Sequence, residues 1–266
     1  MSVTQFRWTS GSSSPEFQVS IFVTDRRDGL SQAPWSDFNL AMHVGDDPAA
    51  VQSNRELLTD AIGVPVAWAD QVHGTHIAQV GASPCEVPTA DGLLTTVPGL
   101  ACSMLVADCL PVVLSHRVHP CVASVHAGWR GLSAGVIEAA IASMARAVGE
   151  PVAEVALQLS AWLGPCIGPE HFEVGPEVRL ALEDGLEVPD GVFAPSVRGG
   201  RHMADLAALA RLRLVKAGVA ELSGNDSSPM WCTHGQPRRY FSHRRDGAKL
   251  GTTGRMAVGV WISRRI

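Results

Sequence analysis

Three short apolar runs, Cys102 to Ala107, Val112 to Ser115 and Val122 to Val125, follow one another with few polar residues between them. Runs of that length without alternation mark strands covered on both faces. Such strands need a helix or a second sheet against each face, so the chain is constrained to a layered fold. The flanking sequence supplies the covering elements. Phe17 to Thr24 alternates, is rich in Val, Ile and Phe, and reads as a strand. Asp46 and Asp47 before Pro48 open a helix, with Val51, Leu58 and Ile62 near helical spacing until Gly63 and Pro65 end it. Val66 to Val80 and Leu93 to Thr96 read as strands joined by turns. Leu132 to Val148 reads as one amphipathic helix and Val155 to Leu163 as a strand. Asp205 caps a helix through Lys216 that Gly218 stops. Tyr240 to His243 and Met256 to Ile262 read as the final strands. Residues 1–16 read as a flexible N-terminal arm and Pro189 to Gly200 as a surface loop. No linker divides residues 17–266, so a single α/β (or α+β) domain with mixed sheets is expected there.

Composition narrows the function classes. Hydrophobic residues make up 46% of the 266 and charged residues 18%, the latter below the typical ~25%; this favours a large, well-packed core. A net charge of -5 gives no broad basic field, so neither nucleic acid nor an anionic membrane is an expected partner. No apolar run is long enough to span a bilayer, and residues 1–16 lack the apolar stretch of a secretory signal. The expected location is cytoplasmic. Cys85, Cys102, Cys109, Cys121, Cys166 and Cys232 are therefore read as reduced thiols.

Three residues offer an open metal site: His73 in Gln-Val-His-Gly-Thr-His, Cys109 in Ala-Asp-Cys-Leu-Pro, and His126 in Val-His-Ala-Gly-Trp-Arg-Gly. One thiolate and two imidazoles suit a borderline-soft divalent ion, and three protein ligands leave a fourth position free, the pattern of catalytic zinc. Their separations of 36 and 17 residues prove nothing alone. Each, however, stands at the end of an expected strand beside Gly or Pro, where loops carry function. The competing reading makes Cys109 a small buried apolar residue and the histidines satisfied core or loop groups.

Other residues carry two readings each. Asp108 either orients a ligand imidazole or starts a turn. His43 either handles protons or substrate, or makes a loop contact. Asp91 before Gly92 is a general base or, more simply, a turn residue. In Gly128-Trp129-Arg130-Gly131 the glycines admit a close ligand and Arg130 favours phosphate, against a plain tight turn with a solvated arginine. No Gly-Lys-Ser/Thr follows, so this is not a P-loop. Arg244, Arg245 and Arg255 are a surface charge cluster or an anion site.

These motifs, with Asn39 to Asp47, Asp91-Gly92, Leu163 to Gly168, Cys232-Thr233 and Arg244 to Gly254, closely resemble the YfiH family. That family is also called the laccase-domain or polyphenol oxidase-like family, and peptidoglycan editing factor. The resemblance covers residues 17 to 264. It implies a single-domain αββα sandwich with mixed β-sheets, similar to the cytotoxic necrotizing factor catalytic domain. It implies zinc on His73, Cys109 and His126, and an enzyme that phosphorolyses adenosine, inosine and methylthioadenosine and deaminates adenosine. The expected catalytic residues are then His43, Asp91, Cys109 and Arg130, with Arg130 and Arg245 binding phosphate. The acid/base roles of His43 and Asp91 stay undivided. The expected partners are a purine nucleoside and phosphate, and the expected state is monomeric. The laccase label implies copper, but the chain lacks the His-x-His pairs and the Cys-His-Met cluster that copper oxidases need. The alternative is a cysteine hydrolase acting on peptidoglycan precursors, with Cys109 and His126 as nucleophile and base. A closed, four-ligand site would instead indicate a non-enzymatic binding module. Asp28, Ala41, His243 and a longer Gly247-to-Thr253 segment depart from the family pattern and bear on loop shape and substrate preference.

Overall fold

The three apolar runs do form strands, but they are divided between two sheets. The computed structural model describes residues 3–81, 86–219 and 221–265; Cys85 lies outside them. In chain order the elements begin with β1 (Val3–Arg7), β2 (Phe17–Thr24), α1 (Pro48–Ile62), β3 (Val66–Ala67), β4 (Ile77–Gln79), β5 (Gly92–Thr95), β6 (Ala101–Val106), β7 (Leu110–His116) and β8 (Val122–Ala127). There follow α2 (Trp129–Ser133), α3 (Val136–Val148), α4 (Val152–Gln158), β9 (Leu159–Leu163), β10 (Glu173–Val174), α5 (Pro176–Glu183), β11 (Phe193–Pro195), β12 (His202–Ala204), α6 (Leu206–Lys216), β13 (Glu221–Gly224) and β14 (Met256–Arg264).

One mixed sheet has the order β1-β2-β14-β6-β3, and the other β13-β9-β7-β8-β5-β4. A small sheet, β10-β12-β11, lies apart. The pattern of burial explains the unbroken apolar runs. On β7, Val112 and Leu114 face a core shared with Ile137, Ile141 and Met144 of α3 and Leu209 and Leu214 of α6. Val113, between them, faces the opposite core with Ile21, Met104 and Val258 of the other sheet. Outside that sheet, Leu58 and Ile62 of α1 pack on Phe22 and Trp261. The layers are thus helix, sheet, sheet, helix, as expected. Each fully buried Leu, Ile or Val contributes about 1.5–3 kcal/mol.

The caps hold as read. Asp47 accepts from the Ala49 N–H at the start of α1, Gly63 is left-handed at its end, and Asp205 accepts from the Ala208 N–H at α6.

Several expectations are corrected. Val3–Arg7 is no loose arm; it pairs antiparallel with β2, and Phe6 packs on Trp162 with ring centroids 5.7 Å apart. It reads as polar because an edge strand buries little of itself. The helix read from Leu132 breaks at Gly135, whose φ of 91° separates α2 from α3. Val155 to Leu163 begins as the last turn of α4 and becomes strand only at Leu159. Short apolar runs do not distinguish the two states. Of Val66 to Val80, only the two ends are strand. Phe193–Pro195, inside the expected surface loop, pairs with β12. Tyr240 to His243 forms no strand; Tyr240 and Phe241 are core residues of a loop. Among the described residues no helix is long and apolar enough to cross a membrane.

Candidate metal centre

The six-stranded sheet places two of the expected ligands side by side. Cys109 immediately precedes β7 and His126 lies in β8, paired with Pro111. His73 arrives on the loop between β3 and β4, in a left-handed conformation with φ 62°. That conformation is uncommon for a residue with a Cβ and needs outside support.

Asp91 supplies it. This fully buried carboxylate accepts the backbone N–H groups of Val72 (3.2 Å), His73 (2.9 Å) and Gly74 (2.6 Å). It also bonds His126 Nδ1 at 2.9 Å, while its carbonyl accepts the His126 N–H at 2.8 Å. One side chain therefore holds the His73 loop and fixes the His126 ring. Because Nδ1 of His126 faces a carboxylate, Nε2 is left for a metal, the carboxylate–histidine pattern of metal sites. Asp91 does not line the cleft described below. Instead of facing the cleft as a general base would, Asp91 bonds the His73 loop and the His126 ring.

Ligand atoms of His73, Cys109 and His126 all lie within 4.8 Å of one another, and Cys109 Sγ is 3.8 Å from His73 Nε2. Around a tetrahedral zinc, sulfur and nitrogen ligands sit roughly 3.3–3.6 Å apart, so the donor set and its spacing fit such an ion. The two imidazoles meet edge-on, with centroids 4.8 Å apart. Burial would raise the Cys109 thiol, but the charge and hydrogen bonds of His126, then His73, bring it down to about 6. Burial would lower His126, but Cys109 and Asp91 raise it to about 9. Each group thus favours the charged form of the other, the thiolate of Cys109 and the imidazolium of His126. Among the described residues this is the one His/Cys/carboxylate group with metal-binding spacing.

The glycines of the Gly-Trp-Arg-Gly turn serve these residues directly. A Cβ on Gly128 would stand 3.0 Å from both Cys109 Sγ and His73 Cδ2, and one on Gly131 would stand 2.9 Å from the Gly74 carbonyl. Their smallness admits the site's own side chains and the His73 loop.

Asp108 takes neither of the two parts offered for it. At φ 93° its carboxylate accepts from Thr233 Oγ1 (2.6 Å), Ser242 Oγ (3.0 Å) and the Arg244 N–H (2.6 Å). It ties the Thr233 and Ser242–Arg244 segments to the strand end beside Cys109; the imidazole it was expected to orient belongs to Asp91.

The three ligands open onto a cleft of about 380 Å³, within the ~300–1,000 Å³ range of small-molecule sites. Leu105, Trp129, Ile167, Phe172 and Leu206 give it apolar walls, and His43, Arg130, Arg244 and Arg255 bring polar groups. His43 is held below its ordinary pKa by partial burial and by the charges of Arg255 and Arg55. Arg130 stacks on Trp129 at 4.5 Å. Arg245 is not at the cleft. Its guanidinium is committed to Asp246 and to the carbonyls of Thr233, His234 and Tyr240. The phosphate role expected of it is therefore corrected. The walls Ile167, Phe172 and Leu206 were missed because in sequence a cleft wall looks like core.

The chain matches the family model described as multi-copper polyphenol oxidoreductase laccase over residues 20–263. It is 43% identical over 245 residues to a Pseudomonas aeruginosa protein named purine nucleoside phosphorylase, covering 92% of this chain and 94% of that one. It is 38% identical over 247 residues to the Escherichia coli K12 protein named purine nucleoside phosphorylase YfiH, with the same coverage of 92% and 94%. Among solved structures, a Neisseria meningitidis protein superposes with a TM-score of 0.85 at 35% identity, covering 99% of this chain and 100% of that one. YlmD from Geobacillus stearothermophilus superposes with a TM-score of 0.82 at 28% identity, covering 96% and 98%.

Proposed function

The chain belongs to the family described as multi-copper polyphenol oxidoreductase laccase, and from that membership and its site we propose that it is a zinc-dependent purine nucleoside phosphorylase. The observation that carries the reading is a three-ligand His-Cys-His group opening onto an apolar-walled cleft that also holds arginines. The names of the relatives support the reaction class. The donor set, one sulfur and two imidazoles, favours zinc over a copper oxidase site, which needs further histidines that the described residues do not bring together.

His73, Cys109 and His126 would hold the ion, and a bound zinc supplies Lewis acidity at the cleft floor. The apolar walls, Phe172 and Leu206 among them, accept the purine face and exclude water. Arg130 holds the phosphate that attacks the ribose C1′ as the base departs, and Arg244 takes the place expected of Arg245. His43, neutral at pH 7, handles the proton at the purine base, since Asp91 is spent on the ligands. Adenosine, inosine and methylthioadenosine are the proposed substrates, and deamination of adenosine is a second proposed activity of the same cleft. The test incubates metal-loaded protein with adenosine and phosphate and follows adenine, hypoxanthine and ribose 1-phosphate. No turnover in any metal state removes the reading.

One observation favours a second reading. Cys109, His126 and Asp91 stand in series as nucleophile, base and orienting carboxylate, the arrangement of a cysteine hydrolase acting on an amide of a cell-wall precursor. Iodoacetamide separates the two: rapid alkylation of Cys109 in metal-replete protein supports the hydrolase, and protection by metal supports the phosphorylase.

A further inference from the structure

Arg255 carries a charge into the cleft wall, where the charges of Cys109 and Asp108 act on it but, among the described residues, neither forms an ion pair with it. Its Nη1 donates to the carbonyls of Thr253 (2.8 Å) and Gly254 (3.2 Å). Among the described residues its Nε and Nη2 have no acceptor, and it makes no ion pair. The unused half of the guanidinium is the edge that presents two parallel donors, the geometry that matches two oxygens of a tetrahedral oxyanion.

The arginine is held in place from behind. Its backbone N–H donates to Asn39 Oδ1 at 2.9 Å, and its carbonyl accepts the Leu40 N–H at 3.2 Å. Asn39 is fully buried and donates from Nδ2 to Asp46 Oδ2 at 2.8 Å. The segment bearing His43 and the segment bearing Arg255 are therefore one bonded unit, and both residues line the cleft. Burial outweighs the charges of Cys109 and Asp108 and holds the guanidinium below its ordinary range, so an anion on its free edge is favoured. The other cleft arginines are less suited because both are exposed, Arg130 stacked on Trp129 and Arg244 bonded through Nη1 to the Glu173 carbonyl, whereas Arg255 is half-buried.

We propose that Arg255 is the anchor of the anionic co-substrate, its Nε–Nη2 edge taking two oxygens of a phosphate, with Arg130 and Arg244 completing the shell. The identity of the anion rests on the phosphorylase reading; the anion site itself rests on the unpaired guanidinium edge.

The test is calorimetric binding of inorganic phosphate, and separately of unreactive sulfate, to metal-loaded protein. Wild type is compared with Arg255→Gln, Arg255→Lys and Arg130→Gln. Loss of a charged two-point contact should weaken both anions about 30-fold or more in Arg255→Gln. Arg255→Lys keeps the charge without the fork and should recover only part of the affinity. It also keeps the test open if Arg255→Gln fails to fold, as judged by melting temperature and metal content. Arg130→Gln should lose under about fivefold. In turnover, Arg255→Gln should raise the phosphate KM by more than it lowers kcat. Wild-type affinity in both Arg255 variants overturns the proposal, as does a larger loss in Arg130→Gln or the absence of anion binding by wild type. If both anions bind through Arg255 yet no nucleoside is cleaved, the anchor stands and the phosphorylase reading falls. If nucleosides are cleaved with an unchanged phosphate KM in Arg255→Gln, the reverse holds.

Discussion

Asp91 Oδ1 lies 2.9 Å from His126 Nδ1, and the same carboxylate accepts the backbone N–H of His73, so both imidazoles of the metal centre hang from one buried side chain. The arrangement makes Asp91 a positioning residue whose replacement should weaken both metal binding and the fold. In Asp91→Asn an amide NH2 in place of Oδ2 would face the N–H groups of Val72 and Gly74. The expected result is a metal affinity lowered about 10- to 100-fold, with a stability loss of about 2–4 kcal/mol from the opposed donors. Chelator competition and thermal melts check it; unchanged metal affinity would show that the bond to His126 does not matter.

Gly128 gives a sharper test of the site alone. Its φ of -67° and ψ of 159° are open to any residue, so alanine there brings no backbone strain. The added methyl would nevertheless press on Cys109 Sγ and His73 Cδ2 at 3.0 Å. Gly128→Ala should lose metal affinity by at least about tenfold while unfolding within about 1 kcal/mol of wild type. Equal loss of both quantities would mean that the turn, not the ligand set, had been disturbed.

Arg245 and Arg130 should separate cleanly. Arg245 pairs with Asp246, and both side chains are largely buried, at 12% and 15% exposed. Arg245→Met leaves that carboxylate with Arg26 at 3.9 Å and frees the carbonyls of Thr233, His234 and Tyr240, and should cost about 2–3 kcal/mol in denaturant unfolding. Arg130→Met should melt like wild type and raise the phosphate KM several-fold in steady-state assays.

Metal binding should release protons with a predictable sign. Between the Cys109 value of about 6 and the His126 value of about 9, the sulfur is already ionised and the ring still carries the proton that coordination must expel. About one proton should leave per ion bound near pH 7.5, and affinity should rise about tenfold per pH unit until His126 deprotonates. Below the Cys109 value the thiol proton competes as well and the dependence steepens. Calorimetry in buffers of different ionisation enthalpy reads this count; zero release would mean that His126 is neutral before metal binds.

Much of this was legible from the residues in order. The Asp47 cap, Pro48 and Gly63 bound α1 almost to the residue, and the unalternating runs announced strands buried on both sides. The His73, Cys109 and His126 group was legible because its chemistry is carried by residue type, and the fold brings the three together. What could not be read is direction. Nothing in Arg244-Arg245 tells which guanidinium turns inward, and Asp91 and Asp108 both look like turn carboxylates until their neighbours are known. The Val155 run illustrates a different limit, since its apolar residues satisfy helix and strand equally and only the packing of α4 decides.

The placement of β14 has a consequence for how the protein comes into being. It follows every other described element in the chain yet lies between β2 and β6 in the middle of their sheet, and Arg255 directly precedes it. A chain still emerging from the ribosome without those residues carries two unjoined sheet fragments with open edges, the kind of surface that chaperones shield. Closure of the central seam and arrival of Arg255 at the cleft both wait for the same last stretch of chain.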